Sequence, residues 1–364
     1  MPTISLCMIV KDEEEVLDQC LNSVKEVCDE IVIVDTGSID RTKQIASKFT
    51  DKIFDFTWVE DFSAARNYSF SLANMEYILW LDADDLVQKE DFEKLSKLKN
   101  ELDESIDAVS MNYDISFDAS GNTTFKLRRN RLVKKSKQYQ WIGVVHEYLD
   151  VQGNILESDI VITHTRHLRK QNTDTNRNLR IYEAQLKQGK LLSPRDLYYY
   201  ANELKDHRKY KRAILYYEKF LSLYQGWMED KVMACLYLAD CYQEIGAKEK
   251  VMDILLETFK YDNPRPEACC RIGDHFRKNE KYHTAIFWYQ TATQVPIDHI
   301  RGFYQPSYST WIPHLHMCVC HWKLGNVEKA IEHNSIAGTH KPEDESVLNN
   351  KKFFSDYLKE KRSE

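Results

Sequence analysis

The chain has 364 residues, a formal net charge of −7, and 43% hydrophobic and 29% charged residues, enough for two hydrophobic cores of ordinary domain size. The acidic balance argues against nucleic acid as a partner, and no apolar run approaches membrane-spanning length, so no transmembrane segment is expected. The nine cysteines show no disulfide-framework spacing and the first strand leaves no room for a signal peptide, which leads to the expectation of a cytoplasmic protein.

Ile4–Val10 is an apolar strand broken by Lys11-Asp12-Glu13-Glu14-Glu15, after which Val16, Leu17, Cys20, Leu21 and Val24 recur at helical spacing. A second strand, Glu30–Asp35, ends in an acid. The turn Thr36–Thr42 follows, with Gly37 for a tight bend and Ser38, Asp40 and Thr42 to cap a helix predicted over Lys43–Phe49. The run Tyr77–Leu81 leads directly into Asp82-Ala83-Asp84-Asp85, and Leu86–Asn100 reads as a helix.

Continuous aliphatic strands alternating with helices predict a parallel sheet covered on both faces. Such sheets bind ligands at the carboxyl ends of their strands, and carboxylates there suit Mg²⁺ or Mn²⁺ bridging nucleotide phosphates. An Asp-x-Asp pair alone is a weak signal, and a strand-end Asp also caps helices. No Gly-x-Gly-x-x-Gly follows the first strand and no Gly-x-x-x-x-Gly-Lys-Ser occurs, which sets aside a dinucleotide oxidoreductase and a P-loop NTPase. The strand-end acids fit instead a mononucleotide whose base and ribose lie near the first two strand ends and whose diphosphate reaches a metal at Asp84.

Four ordered segments now carry a resemblance: Ser5–Glu13, Val34–Thr42, Trp58–Asn67 and Leu81–Asp85. In this order and spacing they resemble a family 2 glycosyltransferase of the GT-A fold (Rossmann-like, mainly parallel sheet), over roughly the first 165 residues. The resemblance implies metal-dependent, inverting transfer of a sugar from a nucleotide diphosphate, usually UDP. It places Val10, Glu13, Asp35, Asp61, Arg66 and Asp82 on the nucleotide-sugar and Asp84 on the metal. An arginine near a diphosphate is also physically apt, since its planar fork supplies charge and paired donors. The bland reading of Arg66 is a surface ion pair with Asp61. At Asp12 the chain departs from the family, where Asn is common.

Ile106–Tyr113 reads as a further strand, and Gly121-Asn122 as a turn before the basic run Lys126–Lys135, which is either a solvated face or charge beside a phosphate site. Trp141-Ile142-Gly143-Val144-Val145-His146-Glu147 resembles the family segment that ends in His-Glu on the acceptor side, with His146 toward the sugar; Trp141 could stack on a sugar face, although a lone Trp is at least as often ordinary core. Inversion needs a general base opposite the departing diphosphate. Glu147 is the first candidate and Asp85 the second. His164 ends the strand-like run Ile160–His164 and could complete the sphere of a Mn²⁺ or Mg²⁺ ion beside Asp84.

After residue 170 the pattern turns to polar helices. Ala201, Ala239, Gly273 and Cys318 align as one position of a repeat, and twelve residues after each stand Ala213, Val251, Ala285 and Ala330. This resembles tetratricopeptide repeats, whose nominal period is about 34 residues, and predicts an all-α solenoid. The expected layout is a GT-A domain over 1–170, a helical linker over 171–192, repeats over 193–345 with an insertion over Asp298–Tyr308, and a capping helix over 346–364. The cluster His314–His321 matches no common zinc module, and Cys318 and His321 fall on core positions.

The two halves together resemble bacterial peptide and protein glycosyltransferases that join such a domain to tetratricopeptide repeats. The expected reaction is transfer of a hexose or N-acetylhexosamine from a UDP-sugar donor to a Ser, Thr or Cys of a peptide or protein acceptor held by the repeats, with a homodimer as an option. Two alternatives stand beside it: elongation of a cell-surface glycan or lipid-linked sugar, and a repeat scaffold with a degenerate nucleotide-binding domain.

Overall fold

The computed structural model describes residues 1–117, 123–165, 174–296 and 305–363. The predicted turn Gly121-Asn122 and residues 298–304 of the expected insertion lie outside them. The chain divides into two compact units, Met1–Leu192 and Ser193–Glu364.

In the first unit the elements are β1 (Ile4–Val10), α1 (Leu17–Val24), β2 (Glu30–Asp35), α2 (Thr42–Ala46), β3 (Ile53–Asp55), α3 (Phe62–Ser71), β4 (Tyr77–Trp80), β5 (Asp85–Val87), α4 (Lys89–Glu101), β6 (Ala108–Phe117), β7 (Thr123–Lys134), β8 (Trp141–Ile142), β9 (Tyr148–Leu149), β10 (Ile155–His164) and α5 (Arg177–Lys187). Eight strands form one mixed sheet in the order β3-β2-β1-β4-β7-β6-β10-β5, and β8 pairs with β9 alongside. The β3-β2-β1-β4 half is parallel throughout. Beyond it β7 runs antiparallel to β4 and β6, while β10 returns parallel to β6.

Strand alternation explains why both faces need cover. Leu6, Met8 and Val10 of β1 join Leu17, Leu21 and Leu95 in one core, whereas Cys7 joins Phe70, Trp80 and Trp141 in another. Each such buried Leu or Met contributes on the order of 1.5–3 kcal/mol. The predicted helix over Leu86–Asn100 is corrected at its start. Asp85–Val87 is the edge strand β5, antiparallel to β10 with Asp85 opposite His164, and the helix begins at Lys89. An apolar residue between two short polar stretches reads equally as helix start or edge strand, and the pairing with β10 decides it. The segment expected as a linker contains α5, which belongs to the first unit.

The second unit is helical: α6 (Pro194–Asp206), α7 (Tyr210–Leu221), α8 (Met228–Glu244), α9 (Lys248–Glu257), α10 (Pro266–Lys278), α11 (Tyr282–Gln294), α12 (Trp311–Lys323), α13 (Val327–His340) and α14 (Glu345–Ser363). It forms a tetratricopeptide-type stack of helix pairs, with Phe354 of α14 packed on Cys318 and Trp322 of α12. The aligned small residues are where helices approach. Ala201, Ala213, Ala239, Ala285 and Ala330 are fully buried, and a Cβ added to Gly273 would lie 2.7 Å from the Tyr289 ring. Among the described residues no helix is long and apolar enough to cross a membrane.

Candidate active site

The carboxyl ends of β1 and β2 lie side by side, Val10 opposite Asp35. Asp35 is buried. Its Oδ1 accepts from the amides of Gly37 and Ser38, both at 2.9 Å, in a turn that Gly37 closes with φ +107°. Its Oδ2 is buried with no hydrogen-bond partner among the described residues. Val10 is tied in through its carbonyl, which accepts from Thr36. Asp12 takes a left-handed conformation at φ +52° and its Oδ1 accepts from the Ile39 amide at 2.8 Å. Left-handed backbone favours Asn and Asp among non-glycines, so the departure at Asp12 keeps the loop geometry. Glu13 follows, its amide donating to Thr42 Oγ1 at 2.7 Å.

The helix α3 is capped by Asp61, whose Oδ1 accepts from the Ala64 amide at 3.0 Å and from Ser63 Oγ at 2.7 Å. Asp61 is thus spent on the cap and does not line the central cavity. One turn on, Arg66 is almost completely buried. Its Nη2 reaches Asp82 Oδ1 and its Nε reaches Glu147 Oε1, each at 2.6 Å, and its guanidinium lies over the Trp141 ring at 4.7 Å. The surface pair with Asp61 does not form. Burial alone would push the Asp82 carboxyl up, but Arg66, with Arg131 and Arg129, outweighs it and holds the group well below the usual carboxylate range.

Asn67 clamps the backbone of β8: its Nδ2 donates to the Trp141 carbonyl at 3.0 Å and its Oδ1 accepts the Trp141 amide at 2.8 Å. The loop after β8 passes twice through positive φ, at Gly143 (+103°), where glycine allows it, and at His146 (+52°). It is pinned by Phe62 N donating to the Val144 carbonyl at 3.0 Å and by Tyr182 Oη donating to the Val145 carbonyl at 3.4 Å. This loop turns Glu147 back toward Arg66.

These groups surround a cavity of about 250 Å³ lined by Asp82, Glu147, His146, Trp80 and Trp141, by four arginines, Arg66, Arg129, Arg131 and Arg177, and by Tyr113 among others. Among the residues that line it, Arg129 Nε, Arg131 Nε and Nη2, and Trp141 Nε1 are buried donors without a hydrogen-bond partner among the described residues. A larger cleft of about 950 Å³ lies between Met1, Glu76, Tyr77 and Lys135 at the amino end of β4, and none of the candidate acids lines it.

Beside the cavity the β5–β10 register brings Asp84, Asp85 and His164 together, with one ligand atom from each within 4.8 Å of the others. Asp84 Oδ1 lies 3.6 Å and Asp85 Oδ1 3.7 Å from His164 Nδ1. Asp85 Oδ1 is buried without a hydrogen-bond partner among the described residues. Two hard oxygens and one imidazole fit Mn²⁺ or Mg²⁺. Burial would lower the His164 pKa, but the adjoining Asp85 and Asp84 carboxylates prevail and raise it.

Asp85 is corrected as a candidate base. Its side chain is completely buried, with Oδ2 held 2.9 Å from Arg131 Nη1, so it cannot meet an acceptor without breaking a buried ion pair. Asn67, Tyr113, Arg131 and Arg177 escaped the sequence reading. Asn67 stands next to Arg66 in a quoted motif and Arg131 within the quoted basic run, yet only the fold shows what each touches.

Residues 5–180 match the family model described as glycosyl transferase family 2. These residues form a family 2 glycosyltransferase domain. A TPR repeat-containing protein of Synechococcus elongatus is 37% identical over 150 residues, 41% of this chain and 36% of the relative. The SPbeta prophage-derived glycosyltransferase SunS of Bacillus subtilis is 29% identical over 287 residues, 76% of this chain and 66% of the relative. The lipopolysaccharide core biosynthesis glycosyltransferase LpsC of Rhizobium meliloti is 26% identical over 159 residues, 42% of this chain and 58% of the relative. The chain therefore spans between about a third and two thirds of these relatives' lengths. Among solved structures it is similar to YrrB, described as a TPR protein with an unusual peptide-binding site, with TM-score 0.37 and 17% identity over 49% of this chain and 84% of that one. The glycosyltransferase domain and the helical repeats occur here in one chain.

Proposed function

We propose that the protein is an inverting, metal-dependent glycosyltransferase that moves a hexose or N-acetylhexosamine from a UDP-sugar to a Ser, Thr or Cys of a peptide or protein. The observation that carries this reading is the Asp84–Asp85–His164 cluster beside a cavity lined by the guanidinium groups of Arg66, Arg129 and Arg177. Such a pairing suits an acceptor-rich anion, a diphosphate, together with a divalent cation.

In this reading the free Oδ2 of Asp35 accepts from the nucleobase, Asp82 faces the ribose, and Arg66 exchanges part of its hold on Asp82 and Glu147 for the diphosphate. Asp84 and His164, with Asp85 Oδ1, would hold the ion, and the chemistry it would supply is neutralisation of the diphosphate's charge. Glu147, released from Arg66, takes the proton of the acceptor nucleophile, and Trp141 and His146 shape the sugar side. Val10 and Glu13 support the nucleotide loop through their backbone, and Asp61 acts through the cap of α3. Peptide handling is assigned to the helical repeats, since stacked helix pairs expose a concave binding face and the combination of domains resembles peptide and protein glycosyltransferases. The likeness to LpsC supports a second reading, elongation of a cell-surface glycan, but that likeness covers 42% of the chain against 76% for SunS.

Calorimetric titration of UDP with and without Mn²⁺ tests the nucleotide site. Binding that strengthens with Mn²⁺, and that weakens roughly tenfold or more in Asp35→Asn, where a nucleobase donor would meet the wrong partner, is the expected result. No UDP binding under either condition would remove the proposal.

A further inference from the structure

Arg131 has an unusual placement for a charged residue. The pairing of β7 with β6 runs from Leu132 opposite Val109 to Asn130 opposite Ser110, so Arg131 is the extra residue of a bulge. Bulges re-aim side chains and gather near active sites. Here the bulge accompanies a guanidinium that is driven inward, fully buried, between the rings of Trp80 at 4.0 Å and Tyr113 at 4.5 Å.

What Arg131 touches leads to the candidate metal site through Asp85. Its Nη1 lies 2.9 Å from Asp85 Oδ2, the same oxygen that accepts the Asp82 amide at 2.9 Å. This closes the Asp82–Asp85 turn and leaves Asp85 Oδ1 facing His164. The Tyr113 ring under the guanidinium has its hydroxyl 2.9 Å from His164 Nδ1, the nitrogen that faces both carboxylates. A buried ion pair is poor value for stability, because apolar residues of similar volume often serve as well or better. Outer partners that orient metal ligands do have a use that apolar residues lack.

We propose that Arg131 is a positioning residue for the divalent cation, acting through Asp85 without touching ion or sugar-nucleotide. This rests on the reading that Asp84, Asp85 and His164 hold that cation. Coulomb's law alone predicts the opposite sign, since removing a nearby positive charge should tighten a cation. The substitution Arg131→Lys separates the two effects, because it keeps the charge and loses the fork.

The experiment measures Mn²⁺ binding to the full chain with UDP present, by electron paramagnetic resonance, with thermal midpoints in parallel. Wild type should bind, and Asp84→Ala should not; if wild type shows no Mn²⁺ binding or Asp84→Ala binds normally, the metal reading fails and this proposal with it. With that reading intact, Arg131→Lys should bind Mn²⁺ about tenfold more weakly, with an altered spectrum, an unchanged thermal midpoint and unchanged metal-free UDP binding. Wild-type Mn²⁺ affinity and spectrum in Arg131→Lys would overturn the proposal, as would tighter binding in Arg131→Met. Arg131→Met leaves Asp85 as a lone buried charge and can fail to fold, so Arg131→Met/Asp85→Asn, neutral at both positions, is compared with Asp85→Asn. Equal Mn²⁺ affinity within about twofold supports action through Asp85, and a further tenfold loss overturns it.

Discussion

At the residue scale the site is organised by competition for cations. Arg66 holds Asp82 and Glu147 at 2.6 Å each, and a diphosphate can displace either carboxylate because it offers more charge to the same fork. Under the proposed function Glu147 becomes a base only once donor is bound, which limits idle proton transfer. Glu147→Gln keeps the size and removes the charge. Transfer to an acceptor should fall by roughly 10²–10⁴ in kcat while the Kd for UDP changes little. A KM effect with kcat preserved in steady-state assays would show that Glu147 binds substrate and does not take the proton.

At the element scale, strand ends and one loop deliver the site. The acids at the ends of β2 and β4 were legible because a buried aliphatic run that stops at a carboxylate has few purposes. His164 was legible as a strand-end ligand candidate, but its partner across the β5–β10 pairing was not, since an edge strand of three residues leaves no period to read. Asp61 and Arg66 share a motif, and only the fold assigns one to a helix cap and the other to the cavity. The loop Gly143–Glu147 gains its aim from a left-handed residue that sequence does not mark.

The helices raise a separate electrostatic question at Asp230 of α8. It is buried, its Oδ1 has no hydrogen-bond partner among the described residues, and Arg195 stands 3.7 Å away. Burial pushes its carboxyl up to about 6, above the ordinary aspartate value of 3.8, with Arg195 opposing. Because the folded state binds this proton more tightly than the unfolded chain, the favourable contribution is complete below the ordinary value and is lost as pH rises through about 6. Asp230→Asn should therefore raise stability at pH 7.5 by about 1–2 kcal/mol relative to its effect at pH 4. Urea unfolding at the two pH values checks this, and an equal effect at both would show that Asp230 has an ordinary pKa in the folded protein.

At the scale of the whole molecule, a sheet unit and a helical repeat unit share one chain, divided at Leu192 and Ser193. Repeat spacing made the second unit readable because each helix pair must reserve a small residue where its neighbour crosses. If the repeats handle the acceptor, removing residues 193–364 should reduce modification of a Ser/Thr/Cys peptide library far more than hydrolysis of the donor, given a truncated protein that remains folded by circular dichroism. Equal loss of both activities would leave the repeats with a structural role alone.

The central claim is a metal-dependent UDP-sugar transferase, and it is tested most directly by UDP release from a panel of UDP-sugars without acceptor, with and without Mn²⁺, in wild type and Asp84→Ala. The account predicts slow release from one donor that requires the metal and disappears in Asp84→Ala while the thermal midpoint stays within a few degrees. Release that is indifferent to Mn²⁺ and to Asp84, or no release from any donor, would contradict it.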